Sequence, residues 1–244
     1  MQHPANAPAG PSPQRYARVG GLLYLLLIAA GSWGEFVRGT IIVAGDATAT
    51  AHNIMASESL WRTGIGGDLL MHLCDVPVML VLYVLLKPVN RNLALLAVLF
   101  NLVQTAVLVV NKMTLVIPLF LLGNAVYLKA FAPQQLSALA YVSLRAHDHG
   151  FGFGLIFFGV VCLIQGYLIR RSGYLPRTLG VLMQVAGACY LLNSFALVLA
   201  PAFASLLFPA IMLPPFIAES SLAIWLLVKG VDLPKWEEKL RLAG

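Results

Sequence analysis

The chain has 244 residues, 59% of them hydrophobic and 11% charged, with a formal net charge of +6 and a mean hydropathy of +0.83. Soluble domains carry about 25% charged residues, so a soluble globular domain is excluded and a polytopic membrane protein is indicated. The basic residues are scattered over helix ends rather than gathered in a patch, which argues against nucleic acid and reads as topology signal.

Residues 1–14, MQHPANAPAGPSPQ, are rich in Pro and Ala and lack the charged start of a signal peptide. They read as a disordered tail. Arg15 and Arg18 then lead into an apolar run too long for a cleaved signal, hence a retained first span. Six spans are expected, at about 17–42, 63–86, 92–117, 147–169, 178–200 and 205–229. Each exceeds the ~20 residues that cross ~30 Å of hydrocarbon. The fold class is all-α, a six-span transmembrane bundle over 15–231. Pro234 and the run Lys235-Trp236-Glu237-Glu238-Lys239 make 232–244 an interfacial C-terminal tail.

Lys and Arg set the orientation. With the N-terminus inside, eleven of the sixteen basic residues fall on the inner side. The other five, Arg38, Arg62, Lys112, Lys129 and Arg145, fall on the outer side or outer half. Both termini are therefore expected in the cytoplasm, with the chain in the plasma (inner) membrane. The stretch 92–131 is longer than one span requires. A seventh span there would push the Arg170-Arg171…Arg177 loop outside. One long helix that bends near Pro118 is expected instead, followed by an amphipathic helix over 133–146 on or above the outer surface. The connection 45–62 is long for a bundle loop, and loops of that length are usually functional or structured; Ser57, Glu58 and Ser59 could cap span 2 or start it early. Ile54, Met55, Leu60 and Trp61 are expected to pack it back onto the bundle, with Trp61 at the interface.

Ionisable groups inside apolar spans are costly, about 2.5–3.5 kcal/mol each on insertion scales, so each needs a partner, a water-filled cavity or a use. Asp68, His72 and Asp75 follow i, i+4, i+7 and share one face of span 2. This is either a proton-handling or metal-binding face or a polar seam satisfied by other helices. Glu35 and Arg38 form an intrahelical pair, or Glu35 turns inward towards Asp68. Asn101, Gln104, Thr105, Asn111 and Lys112 make a polar stripe on span 3. Lys112 needs an anion, and Asp68 and Glu35 lie at its depth. His147 and His149 are weak metal candidates, because i and i+2 diverge on a helix. Gly150 and Gly154 read as close helix packing. Glu219, near mid-membrane after Pro209, Pro214 and Pro215, is a buried acid beside a broken helix. Cys74, Cys162 and Cys189 show no CxxC spacing and read as packed apolar residues. No internal repeat is visible.

The run from Glu35 and Arg38 through Asp46, Asn53-Ile54, Ser57-Glu58 and Arg62 resembles domain-of-unknown-function family 4386 of bacterial membrane proteins. So do Gly166-Tyr167-Leu168, the run Ser172-Gly173-Tyr174-Leu175-Pro176-Arg177, Glu219 and Trp225 through Lys229-Gly230. The resemblance covers about 16–230. It implies a multi-span protein with no established activity and assigns no catalytic residue.

The expected site is a polar pocket in the outer half where spans 1, 2 and 3 meet. Glu35, Arg38, Asp68, His72, Asn101, Gln104, Asn111 and Lys112 line it. Glu35, Asp68, His72, Asp75 and Glu219 are the candidate proton-transfer groups. Its ligand is expected to be small or lipid-like, as for an enzyme or binding protein. The alternatives are a proton- or ion-coupled transporter and a structural or regulatory partner. The sequence names no cofactor, no substrate and no oligomeric state.

Overall fold

The computed structural model describes residues 12–243. Most of the expected N-terminal tail therefore lies outside the described residues. Within 12–243 the chain is helical and contains no strand. The first span is α1 (Pro13–Ile41), the second α3 (Glu58–Leu86), and the third is divided into α4 (Arg91–Asn111) and α5 (Met113–Leu121). The fourth to sixth are α6 (Pro133–Ser172), α7 (Arg177–Leu199) and α9 (Leu213–Val228). Among the described residues six helical segments, α4 and α5 counted as one, are long and apolar enough to cross a membrane, and the chain is a multi-pass membrane protein.

Local chemistry sets the helix ends. Ser12 accepts the Arg15 N–H ahead of Pro13, and Asn90 accepts the Leu93 N–H at 3.0 Å. Each satisfies one of the donors that a helix start leaves free. Helix α6 stops where Gly173 adopts φ 79°, the left-handed turn that glycine makes without steric cost.

The six spans close into a ring. Helix α1 packs on α3, α3 on α4, α4 on α6, α6 on α7, α7 on α9, and α9 returns to α1. Helices in lipid associate through packing rather than apolar burial, and small residues let backbones approach. The α6–α7 pair uses this twice. A Cβ on Gly166 would lie 2.5 Å from the Gly180 carbonyl oxygen, and one on Gly187 would lie 2.6 Å from that of Gly159. The two pairs are seven residues apart on each helix, so they fix one antiparallel register.

The start of α1 and the segment after α9 meet at one end of the ring. The Gln14 amide donates to the Lys229 carbonyl at 2.8 Å and accepts the Val231 N–H at 3.0 Å. The C-terminal helix α10 (Leu233–Ala243) docks here through Trp236, which is buried. Its exposed start is held by Lys235 and Asp232, 2.8 Å apart. The Lys235 hydrogen bond keeps the Asp232 carboxyl below its ordinary range. The Leu85 carbonyl sits in the last turn of α3, where no intrahelical donor remains. The Tyr174 hydroxyl at 2.6 Å and the Trp236 indole at 3.2 Å both donate to it. Burial pushes the Tyr174 phenol up, so it stays a donor.

The other end carries a helical head. The expected loop 45–62 is instead α2 (Ala47–Ala56), capped by Asp46, followed directly by the start of α3. It does pack back, with Ile54 fully buried. Trp61 does not sit at an interface: it is in the core and donates to the Leu115 carbonyl at 2.9 Å. Residues 133–146 are not a separate surface helix. They continue without a break into the fourth span as a 40-residue helix. The third span breaks at Lys112, not Pro118. There the Leu115 N–H bonds to the Lys112 carbonyl, tightening the turn, and the Thr114 hydroxyl takes the Asn111 carbonyl. Pro118 stays inside α5. Its missing N–H would have served the Thr114 carbonyl, and the Ser143 hydroxyl of α6 donates there instead. The sixth span begins later than residue 205, because α8 (Pro201–Leu207) is a separate short helix.

Candidate functional site

Three polar groupings occupy the ring interior. The first lies near the head. Arg38 of α1 reaches Asp68 of α3 at 2.5 Å, and Lys112 approaches the same Asp68 oxygen at 3.1 Å. Asp68 is 1% exposed and Lys112 2% exposed. The Lys112–Asp68 contact is off the hydrogen-bond line and leaves Lys112 Nζ without a hydrogen-bond partner. Coulomb attraction does not need that alignment, so the ion pair stands. Lys112 also lies over the Phe151 ring, 5.4 Å from its centre. The outer edge of Arg38 holds Glu35, with Nη2 at 3.0 Å and Nε at 3.3 Å from one carboxylate oxygen. Glu35 does not turn inward: its side chain is 70% exposed. Next to this cluster the Asn111 amide donates to the His147 carbonyl at 2.9 Å and lies 3.1 Å from its Nδ1.

The second grouping centres on Asp75. It accepts from the Thr105 hydroxyl at 2.5 Å and the Asn101 amide at 3.1 Å. Gln104 is buried beside Thr105. The third centres on Glu219, which accepts from the Tyr24 hydroxyl at 2.9 Å and from the Tyr190 hydroxyl. Among the described residues no lysine, arginine or histidine pairs with Asp75 or Glu219. His72 lies between the first and second groupings on the α3 face, buried, with Nε2 unpartnered.

The i, i+4, i+7 face of α3 is thus real and points inward: Asp68, His72 and Asp75 are all buried. The stripe on α4 splits. Asn101 and Thr105 serve Asp75 and Gln104 lies beside Thr105, whereas Asn111 serves His147, and Lys112 serves Asp68. The expected single pocket is therefore two adjacent clusters whose groups touch one another rather than line an open cavity. The crevice lined by Met79, Leu82 and Gln165 and the one lined by Val37, Arg38 and Trp61 leave no room for a water-sized molecule, far from the ~300–1,000 Å³ of drug-sized ligand sites. His147 is buried against Asn111, while His149 is bonded to the Arg145 carbonyl at 3.0 Å on the exposed side, so the two do not converge. Gly150 leaves room for the Asn111 amide, and Gly154 for Leu108.

Neither Tyr24 nor Tyr190 was expected at the site from the sequence. The signal was there: a phenol within an apolar span is expected to find a polar partner when buried. Below Glu219, towards the termini, the interior is apolar apart from Gln165, which is buried against Met79. Leu82, Leu85, Leu168, Met183, Leu222 and Leu226 fill it. The polar groupings therefore have an apolar plug on the termini side.

The sequence model of the family described as "Domain of unknown function (DUF4386)" matches residues 19–230. A protein of Archaeoglobus fulgidus, described as "Uncharacterized protein", is 28% identical over 169 residues, which cover 69% of this chain and 85% of that one. No solved structure matches.

Proposed function

This chain belongs to the DUF4386 family, and from that premise we propose that it is an ion-coupled membrane transporter whose coupling ion is the proton. One observation carries the reading. Asp75 and Glu219 are buried in mid-span, and only neutral hydroxyl and amide donors hold them. Intramembrane carboxyls of this kind mark proton relays and ion pathways. Each has an oxygen environment that suits either a protonated carboxyl or a carboxylate hydrogen-bonded by hydroxyls. His72 stands between them and the Arg38–Asp68–Lys112 cluster. The apolar cluster on the termini side separates these groups from that end of the bundle. Both termini are placed in the cytoplasm of a plasma-membrane protein on the basic-residue bias, which puts the head outside.

Infrared spectra of the full chain in nanodiscs, stepped through pH, test the proton reading. A carboxyl C=O band that titrates and disappears in Glu219→Gln or Asp75→Asn is expected. Absence of any titrating band assignable to either residue overturns it.

A further inference from the structure

Charge pairing differs between the two ends of the bundle. Towards the head, Arg38, Arg62 and Arg145 each hold a carboxylate of their own helix, Glu35, Glu58 and Asp148, at 3.0, 2.7 and 3.2 Å. Towards the termini, the turn from α6 to α7 carries Arg170, Arg171 and Arg177 within eight residues. No acid occurs in the sequence between Asp148 and Glu219, and Glu219 is buried with Tyr24 and Tyr190. The fold brings Asp232 to this turn, where its N–H bonds to the Tyr174 carbonyl at 3.2 Å, but its carboxylate is taken by Lys235 at 2.8 Å. Among the described residues, therefore, no carboxylate pairs with any of the three arginines.

The three side chains line the edge where two spans leave the membrane. Arg170 lies over the α6–α7 crossing: a Cβ on Gly180 would lie 2.5 Å from its Cγ, and its Nη1 donates to Gln184 at 2.8 Å. Arg171 is exposed and lies over the Tyr167 ring, 6.0 Å from its centre. Tyr167 is four residues earlier, one turn deeper on the same face of α6. Arg177 shares its face of α7 with Val181 and Val185. Both faces point out of the bundle, as the exposure of Tyr167, Val181 and Val185 shows. Arginine and tyrosine at the end of an apolar span sit at headgroup level, with the apolar strip beneath them among acyl chains. We propose that the α6–α7 turn binds an anionic phospholipid. Its phosphate takes N–H groups of Arg170, Arg171 and Arg177, for which the forked guanidinium is suited, and its chains run along Tyr167, Val181 and Val185. The lipid supplies here the anion that Glu35, Glu58 and Asp148 supply at the head. The site lies on the outer surface of the helix pair and needs no cavity. It is independent of the proton reading, since neither Asp75 nor Glu219 takes part.

Native mass spectrometry of the full chain tests it, because it resolves the first lipid bound. The chain in detergent is titrated with phosphatidylglycerol or with phosphatidylcholine of the same chain length. The first phosphatidylglycerol should bind about tenfold or more tightly than the first phosphatidylcholine, given the attraction of an anionic lipid to each nearby arginine. The double variant Arg171→Gln/Arg177→Gln keeps the Arg170–Gln184 bond and should bring the two lipids to near parity. Arg15→Gln/Arg18→Gln removes the same charge elsewhere on the same end and should keep the preference. Should Arg171→Gln/Arg177→Gln fail to fold, Tyr167→Glu decides in its place. It sets a carboxylate four residues before Arg171, the spacing of Glu58 and Arg62, and should lower the preference while all three arginines remain. The proposal is overturned if wild type binds both lipids equally, or if the preference survives in Arg171→Gln/Arg177→Gln or in Tyr167→Glu. It is also overturned if Arg15→Gln/Arg18→Gln lowers the preference as much, since diffuse charge rather than a site would then hold the lipid.

Discussion

Arg38 on α1 and Asp68 on α3 meet at 2.5 Å, thirty residues apart in sequence, inside the membrane bundle. Lys112 shares the same Asp68 oxygen. One carboxylate therefore holds two cations that would otherwise face each other in a low-dielectric interior. Asp68→Asn should be among the most destabilising substitutions in the chain, at about 3–5 kcal/mol, because it strands buried charge. Lys112→Met leaves Asp68 with Arg38 and should cost less. The double variant should be more stable than Asp68→Asn alone. Thermal unfolding in nanodiscs ranks the three; a double variant no better than Asp68→Asn would show that the two cations do not repel across the empty site.

The α6–α7 crossing should be intolerant of a single methyl group. Gly166→Ala would place its Cβ 2.5 Å from the Gly180 carbonyl oxygen. The backbones must separate, at a cost of about 1–3 kcal/mol, the usual penalty of overpacking. Gly39 in α1 is the control, since nothing lies within 4 Å of a Cβ built there. Gly39→Ala should be neutral or stabilising by roughly 0.4–1 kcal/mol. Equal effects at the two positions would refute the close-approach account.

The Leu85 carbonyl should tolerate loss of either donor but not of both. In Tyr174→Phe the Trp236 indole remains, and in Trp236→Phe the Tyr174 hydroxyl remains. Each single change should cost about 0.5–1.5 kcal/mol. The double change leaves a buried carbonyl bare and should exceed the sum of the singles. Additive behaviour, measured by heat or denaturant, would mean that water reaches Leu85 when one donor is absent.

The orientation has a direct test. Thr48 in α2 and Thr178 at the start of α7 are exposed at opposite ends of the ring. Single cysteines at these positions, in a background without Cys74, Cys162 and Cys189, should react differently with a membrane-impermeant maleimide. Position 48 should label in intact cells and position 178 only after permeabilisation. The opposite pattern would place both termini outside.

Much of this architecture was legible along the chain. Hydropathy gave the six spans, because a bilayer demands long apolar helices whatever their neighbours are. Periodicity gave the inward face of α3, because i, i+4 and i+7 lie on one side of any α-helix. The need of Lys112 for an anion was also readable, and Asp68 was one of its two possible partners.

Tertiary structure decided what one-dimensional patterns do not carry. The ring closure of α9 on α1 brings Glu219 to Tyr24, 195 residues away, and no local spacing encodes that meeting. Trp61 looked interfacial by residue type, but α5 folds over it and offers the Leu115 carbonyl. Pro118 looked like the bend, yet Ser143 of another helix supplies the donor that proline lacks, so the break moved to Lys112. The 45–62 connection looked like a loop because its residues are polar and small, but an Asp46 cap and the support of α6 make it a helix. Sequence by itself determined which segments enter the membrane and which face of each is polar, since those follow from solvent and helix geometry. The pairing of those faces was decided only in three dimensions, where each buried charge, carbonyl and phenol takes the partner that the packing of distant helices brings within reach.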